Sequence, residues 1–328
     1  MKFIFATDLH IMGSSPSSRK DDYTEALSRK IEEVFLIADE KQVDFILLGG
    51  DLFETYNVST SVIRQTLGWF KNKSIPIFSI LGNHDLYGHT LKTFNRSAMS
   101  ILDITDFVQI LDVDSQKSLR GIHYYNGLEG DLCKYNEPSE EMQEHLQGEE
   151  FIWVIHGMIS NTGLPHISRN ITIEDVRVGP KTKLVLTGDY HAGFPVVTRE
   201  DGVIFANPGA LSRRTMGKEN LYREIQIAVI DYDPEDFNVD IDINYVSLKS
   251  AAPPEEIFDL QEINETKVRK REIFSYIEKL KNLEIESSLG NLELELEEFA
   301  QKVTLDAEVL QAIKDRLQKK QTDQEVNL

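Results

Sequence analysis

The chain has 328 residues, 41% of them hydrophobic and 9% aromatic, an ordinary globular composition with length for one large domain and a smaller appendage. Its net charge of −20, from 35 basic and 55 acidic residues, argues against stand-alone tight DNA binding, because proteins that hold nucleic acid on their own surface are usually basic. No apolar run approaches the roughly 20 residues of a membrane helix, residues 1–6 lack the layout of a signal peptide, and the single cysteine, Cys133, excludes an intrachain disulfide or a thiolate metal cluster; a cytoplasmic location is expected.

Residues 3–6 form the first apolar run and predict a strand. Residues 23–38 predict a helix with Leu27, Ile31, Val34, Phe35 and Ala38 on one face. A second strand is predicted at 45–48, then a helix at 59–70 with Val62, Ile63, Leu67 and Phe70 facing one way. Further strands are predicted at 75–81, 151–155 and 184–186. Each run is nearly continuous in Ile, Val, Leu and Phe, as strands buried on both faces are. The alternation implies an α/β fold with a mostly parallel inner sheet. From 196 to 246 the pattern turns strand-like, at 203–206, 225–230 and 239–245, and these runs are expected to complete a second sheet. Ala251-Ala252-Pro253-Pro254 reads as a linker. Beyond it the sequence is charged and helical, with Thr304 predicted as an N-cap and Val309, Leu310, Ile313 and Leu317 as an apolar stripe. The expected division is a catalytic domain over 1–250 and a helical, partner-docking region over 251–328.

The chemistry follows the strands. Residues 3–6 lead into Thr7-Asp8-Leu9-His10, 45–48 into Gly49-Gly50-Asp51, and 75–81 into Gly82-Asn83-His84-Asp85. Residues 151–155 lead into His156-Gly157, and 184–186 into Thr187-Gly188-Asp189-Tyr190-His191. Ligands of open α/β sheets bind beyond the carboxyl ends of the strands, so five such ends in one sheet would gather these groups into one pocket. Asp8 and His10 are two apart, so on extended backbone their side chains point the same way; Asp189 and His191 repeat the spacing. Carboxylate, imidazole and amide oxygens without thiolate favour Mn²⁺, Fe²⁺ or Mg²⁺. A pair of such ions about 3.5–4 Å apart can clamp the attacking and leaving oxygens of a phosphoryl displacement. Singly, Asp8 or Asp51 reads as a helix cap and His156 as a core histidine; their joint order is what points to a site.

Asp8-Leu9-His10, Gly50-Asp51, Gly82-Asn83-His84-Asp85, His156-Gly157 and Gly188-Asp189-Tyr190-His191 resemble, in order, the five motifs of calcineurin-like metallophosphoesterases, over about residues 1–215. Within that family the pattern is most similar to the SbcD-type nuclease subunit of double-strand-break repair complexes, including phage versions. The resemblance implies a two-sheet α/β sandwich flanked by helices, with a small C-terminal helical appendage. It implies a first metal held by Asp8, His10, Asp51 and His191, and a second held by Asn83, His156 and Asp189 with Asp51 bridging. Mn²⁺ is the first choice, with Mg²⁺ or Fe²⁺ as alternatives. His84 would contact the scissile phosphate or protonate the leaving oxygen, and Asp85 would orient His84. One departure stands out: the family's last motif is usually Gly-His-x-His, and Asp189 replaces its first His. The implied partners are DNA and an SbcC-type coiled-coil ATPase, with a homodimer also open.

Arg213, Arg214 and Lys218, after the Asn207-Pro208-Gly209-Ala210 turn, are candidates to hold a DNA backbone. Tyr56 and Tyr87 are candidates to stack on bases. His89, His123, His145 and His166 match no motif and read as structural or surface residues. Three functions compete. The first is a DNA exo- or endonuclease in repair, recombination or replication, driven by a separate ATPase since the chain has no Gly-x-x-x-x-Gly-Lys-Ser/Thr loop. The second is a stand-alone phosphodiesterase or phosphatase on nucleotides or small phosphoesters, which the acidic charge favours. The third is a non-catalytic scaffold with a decayed site, of which Asp189 would be the first sign.

Overall fold

The five apolar runs that end in polar residues do not share one sheet; they divide between two. The computed structural model describes residues 1–71, 73–111, 118–148, 151–164, 167, 169–233 and 241–260. The chain begins β1 (Lys2–Ala6), α1 (Tyr23–Lys41), β2 (Phe45–Leu48), α2 (Thr60–Phe70), β3 (Ile77–Ser79), α3 (Ala98–Ile104) and β4 (Gln109–Ile110). It continues β5 (Leu119–Ile122), α4 (Leu128–Leu132), α5 (Glu140–Gln147), β6 (Ile152–Gly157), β7 (Ile159–Ser160), β8 (Ile171–Thr172) and β9 (Leu184–Asp189). Then come β10 (Phe194–Thr198), β11 (Ile204–Asn207), α6 (Lys218–Leu221), β12 (Gln226–Asp231), β13 (Asp242–Ser247) and α7 (Pro254–Ile257).

The first sheet has the order β13-β12-β1-β2-β3-β4 and the second β10-β11-β9-β6-β5. β1 to β4 are mutually parallel, as are β5, β6, β9 and β11. Every motif-bearing strand therefore delivers its carboxyl end to the same edge of its own sheet. β12 and β13, expected in the second sheet, instead extend the first. β12 runs antiparallel along β1, Lys2 opposite Asp231 and Phe5 opposite Ala228, and covers an edge whose amides would otherwise be buried without partners.

Successive residues of a strand face opposite ways, and this sets the layers. Phe3, Phe5, Phe45, Leu47 and Phe78 of the first sheet pack on Ile152, Val154, Leu184, Leu186 and Ala206 of the second. Ile4, Ala6, Ile46 and Leu48 turn outward to Leu27, Ile31 and Phe35 of α1 and Val62 and Phe70 of α2. Trp153, Ile155, Val185 and Phe205 turn outward to Leu128, Leu132 and Met142 of α4 and α5. The result is a two-sheet α/β sandwich with helices on both outer faces. Asp22 caps α1 by accepting the Glu25 amide, and α1 runs to Lys41 before Gln42 closes it in a left-handed conformation.

Residues 251–254, read as a linker, and the four residues after them are tied to the catalytic domain. Arg213 donates to the Ala252 carbonyl at 3.1 Å, the Lys20 amide to the Ile257 carbonyl at 2.9 Å, and Ile257 and Phe258 are buried. The chain separates into two compact units, Met1–Phe258 and Asp259–Leu328. The expected helical tail, with Thr304 and the stripe from Val309 to Leu317, lies outside the described residues, as does His166. Among the described residues no helix is long and apolar enough to cross a membrane.

Candidate metal centre

Asp8, His10, Asp51 and Asp189 all have positive φ, at 56°, 50°, 50° and 71°. Non-glycine residues rarely adopt this left-handed region, and where several cluster the fold is holding them there for a purpose. The finding corrects the extended-strand reading of Asp8 and His10. Their side chains converge because the backbone kinks after β1, not because strand alternation aligns them. Backbone pairing fixes the kinks: the Asp8 amide donates to the Gly50 carbonyl at 3.2 Å, and the His10 amide to the Asp51 carbonyl at 3.0 Å. Two glycines make room. Gly50 has φ of 93°, and a Cβ on it would strike the His156 ring; a Cβ on Gly82 would strike the Asp51 carboxylate.

The two central carboxylates are anchored alike. Oδ2 of Asp8 accepts from the Thr7 hydroxyl at 2.7 Å and the Asp189 amide at 3.2 Å. Oδ1 of Asp51 accepts from the His84 amide at 2.8 Å. Each then turns its other oxygen inward: Asp8 Oδ1 and Asp51 Oδ2 are buried and accept no hydrogen bond from any described group. His191 Nε2 lies 3.3 Å from Asp8 Oδ1, and His10 Nε2 lies 3.7 Å from both free oxygens. His156 Nε2 lies 3.4 Å from Asp51 Oδ2 and 3.2 Å from Asn83 Oδ1. His156 Nδ1 faces the Gly49 carbonyl at 2.7 Å, so Nδ1 carries a proton and Nε2 is the nitrogen turned towards the Asp51 and Asn83 oxygens. His10 Nε2 and His191 Nε2 meet at 3.1 Å. Carboxylate oxygens and imidazole nitrogens turned on one another in a buried site suit a bound cation.

The charges say the same. Burial would raise Asp51, yet the neighbouring His156 and His10 draw it down to about 2. Burial would likewise raise Asp8, but His191 and His10 hold it well below the usual carboxylate range. Burial would lower His156, and the Asp51, Asp8 and Asp189 carboxylates raise it well above the usual range. Among the described residues, three triads have ligand atoms mutually within 4.8 Å: Asp8, His10 and His191; Asp8, Asp51 and His156; and His10, Asp51 and His84. Asp51 lies in two of them. The donor set is oxygen and imidazole, which suits Mn²⁺, Fe²⁺ or Mg²⁺.

The Calcineurin-like phosphoesterase family matches residues 1–193, more than half of the chain. The chain belongs to the calcineurin-like phosphoesterases. The family uses a dinuclear metal site, and the residues gathered here fit one. The chain is 23% identical to the DNA double-strand break repair protein Mre11 of Archaeoglobus fulgidus over 232 residues, 65% of this chain and 50% of that protein. It is 25% identical to the Mre11 of Methanococcus maripaludis over 167 residues, 44% of this chain and 42% of that protein. The chain thus spans about half the length of these curated relatives. Among solved structures, a dimetal phosphatase from Danio rerio is similar at a TM-score of 0.44 and 11% identity, over 70% of this chain and 94% of that one.

Other residues of this phosphoesterase fall where the sequence did not place them. Asp85 does not reach His84. Its Oδ2 accepts the amides of Asp51 and Gly82, both at 2.9 Å, and its Oδ1 that of Phe53 at 3.2 Å. Burial, then the Asp51 charge, pushes Asp85 up to about 7. His84 is held instead by the Glu54 carbonyl, 2.6 Å from Nδ1, and its Nε2 stands 4.0 Å from Asp51 Oδ2. The Glu54 carboxylate lies 3.0 Å from His10 Nδ1 and pairs with Arg214. Glu54 was missed, although it directly follows the Gly50–Phe53 motif. Arg214 thus borders the site as the partner of Glu54. Arg213 does not: it is buried and donates to the carbonyls of Ala252 and Arg223. A guanidinium inside a loop reads identically in sequence whether it meets phosphate or backbone. Tyr56 and Tyr87 pack on each other with tilted rings, centroids 5.1 Å apart and planes at 58°.

Arg169, Glu129 and Tyr124 form the last group. Arg169 Nη2 lies 3.2 Å from Asp189 Oδ2, Nε lies 3.6 Å from Glu129 Oε1, and Nη1 donates to the Tyr124 hydroxyl. Asp51, Asn83, His84, Asp189 and His191 line an open cleft of about 530 Å³, with Arg169 on its wall.

Proposed function

We propose that the chain hydrolyses phosphodiester bonds in DNA, with two Mn²⁺-like ions held by Asp8, His10, Asp51 and His191 and by Asp51, Asn83, His156 and Asp189. The observation that carries this is the pair of buried oxygens, Asp8 Oδ1 and Asp51 Oδ2, that accept nothing from the described protein and face imidazole nitrogens beneath an open cleft. Bound divalent ions would supply Lewis-acid polarisation of the phosphoryl oxygens. The chain's own contribution is to hold those oxygens and to manage a proton. His84 spends Nδ1–H on the Glu54 carbonyl, so Nε2 carries a proton only in the imidazolium form. That form both attracts a phosphate and can donate to a leaving oxygen. Asp85 acts at one remove, locking the backbone of Asp51 and Gly82.

The DNA reading draws on the Mre11 relatives and on the expected docking region beyond residue 258, which would engage an ATPase of the SbcC type. The net charge of −20 favours a second reading, a phosphodiesterase on nucleotides or small phosphoesters. Purified protein is incubated with Mn²⁺ and linear duplex DNA, single strands or a chromogenic phosphodiester. Degradation of DNA supports the first reading. Turnover of the chromogenic ester with intact DNA supports the second, and no Mn²⁺-dependent turnover of any substrate rejects both.

A further inference from the structure

Arg169 is placed with more care than a surface loop residue needs. Its guanidinium stacks over the Tyr124 ring, 5.0 Å from the centroid, and donates to the hydroxyl of the same residue. Glu129, whose carboxylate accepts the Met158 amide at 3.2 Å, backs it from below. Glu129 is only 7% exposed, and a buried carboxylate needs a cation nearby. Three fixed partners thus orient a group that nonetheless keeps 42% of its side-chain surface open. A guanidinium has five N–H donors. Among the described residues, the Tyr124 hydroxyl and Asp189 take two and Glu129 faces a third, which leaves N–H groups for the cleft that Asp189, His84 and Asn83 share.

The pairing also makes sense of Asp189. A carboxylate where the family usually has a neutral histidine adds a negative charge beside Asp8 and Asp51. That charge would repel an anionic substrate.

We propose that Arg169 is a substrate-contacting residue: it binds a non-bridging oxygen of the phosphodiester on the Asp189 side of the cleft and offsets the charge that Asp189 adds. The proposal rests on the phosphodiesterase reading above and names a contact for that substrate. A planar fork suits two phosphate oxygens at once, which an ammonium does not.

The test uses the full chain loaded with Mn²⁺. Inorganic phosphate is titrated calorimetrically, and a chromogenic phosphodiester is assayed in steady state. Arg169→Gln is expected to weaken phosphate binding and raise KM by roughly 10- to 100-fold, the effect of losing a charged hydrogen bond. Arg169→Lys should recover only part of this. The number of Mn²⁺ ions bound should stay the same. If phosphate binds Arg169→Gln as tightly as wild type, Arg169 only balances Asp189 and Glu129, and the proposal falls. Should thermal unfolding show that Arg169→Gln does not fold, Glu129→Gln/Arg169→Gln removes the buried carboxylate with its partner and is judged by the same criterion. Wild-type protein that binds phosphate without turning over any diester would reject the phosphodiesterase reading while leaving the Arg169 contact measurable.

Discussion

The Asp85 carboxylate accepts the backbone amide of Asp51 at 2.9 Å, so a residue that touches no inward-facing ligand atom holds the central one in its left-handed conformation. The same carboxylate holds the amides of Gly82 and Phe53. Asp85→Ala orphans three buried donors, each costing about 1–3 kcal/mol. We expect urea unfolding to show a loss of at least about 3 kcal/mol, with Mn²⁺ affinity falling in parallel. Unchanged Mn²⁺ affinity would mean Asp51 keeps its position without this brace.

Asp51→Asn should act on metal and not on fold. The amide oxygen can still accept from the His84 backbone, but the charge between His10 and His156 is gone. Calorimetry should show fewer than two Mn²⁺ ions bound, and turnover should fall by at least about 100-fold. A variant that keeps most Mn²⁺-dependent activity would show that Asp51 bridges nothing.

Much of this site was legible because strand ends leave a strong imprint: an apolar run, then Asp, His or Asn beside glycine. Asp8, Asp51 and His156 could be singled out on that basis. The sheet partition was not legible. Phe3 and Ile4 differ little as letters, yet one faces the second sheet and the other α1, and alternation within an all-apolar run carries no label for its two faces. Nor could the sequence show that β12 would cover β1, since either sheet offered it an edge. The left-handed φ of Asp8 and Asp51 is imposed by tertiary hydrogen bonds and has no local signature in non-glycine residues. Arg169 stands alone in a loop, about 20 residues from Asp189, without a periodic or motif context. Arg213 shows the converse: its charge suggested DNA, and its partners are carbonyls.

His84 lies close enough to Asp51 to be counted with His10 as a ligand triad, yet its Nε2 is 4.0 Å from the nearer Asp51 oxygen. We expect His84→Ala to retain both Mn²⁺ ions and to lose turnover by about 10²–10⁴-fold. Anomalous scattering from Mn²⁺-soaked crystals of the variant decides the matter. A missing metal peak would make His84 a ligand.

His123 offers a pH test away from the metals. Its Nδ1 accepts the Leu81 amide at 3.0 Å, which requires the unprotonated nitrogen. Burial, then the nearby His145, lowers it from 6.5 to about 4. A group whose folded pKa is depressed by preferring its neutral form contributes stability above its unfolded pKa. That contribution is lost as pH falls through the folded value. Stability should therefore decline between pH 6.5 and about 4, by up to about 3 kcal/mol from this group. His123→Asn keeps an acceptor for Leu81 and cannot titrate. Its denaturation midpoints should be flatter over that window; an identical slope would exonerate His123.

The boundary of the catalytic unit can be located by truncation. The sequence suggested a break at Pro253-Pro254, but Ile257 and Phe258 are 3% and 1% exposed. Phe258 pairs with Arg19 across a backbone bridge, and the Arg19 guanidinium lies 5.9 Å from its ring. Removing two buried side chains of this size should cost at least about 4 kcal/mol, a large share of a typical domain's stability. A chain ending at 254 is therefore expected to unfold at much lower urea concentration than one ending at 258. The 258 form should bind Mn²⁺ and cleave a small phosphodiester at close to the full-length rate, since every proposed ligand precedes it. If the region beyond 258 docks a partner ATPase, that same form should fail to co-purify with one and should lose ATP-stimulated digestion of duplex DNA. Loss of Mn²⁺ binding by the 258 form would assign the later residues to the core of the enzyme and end the docking proposal.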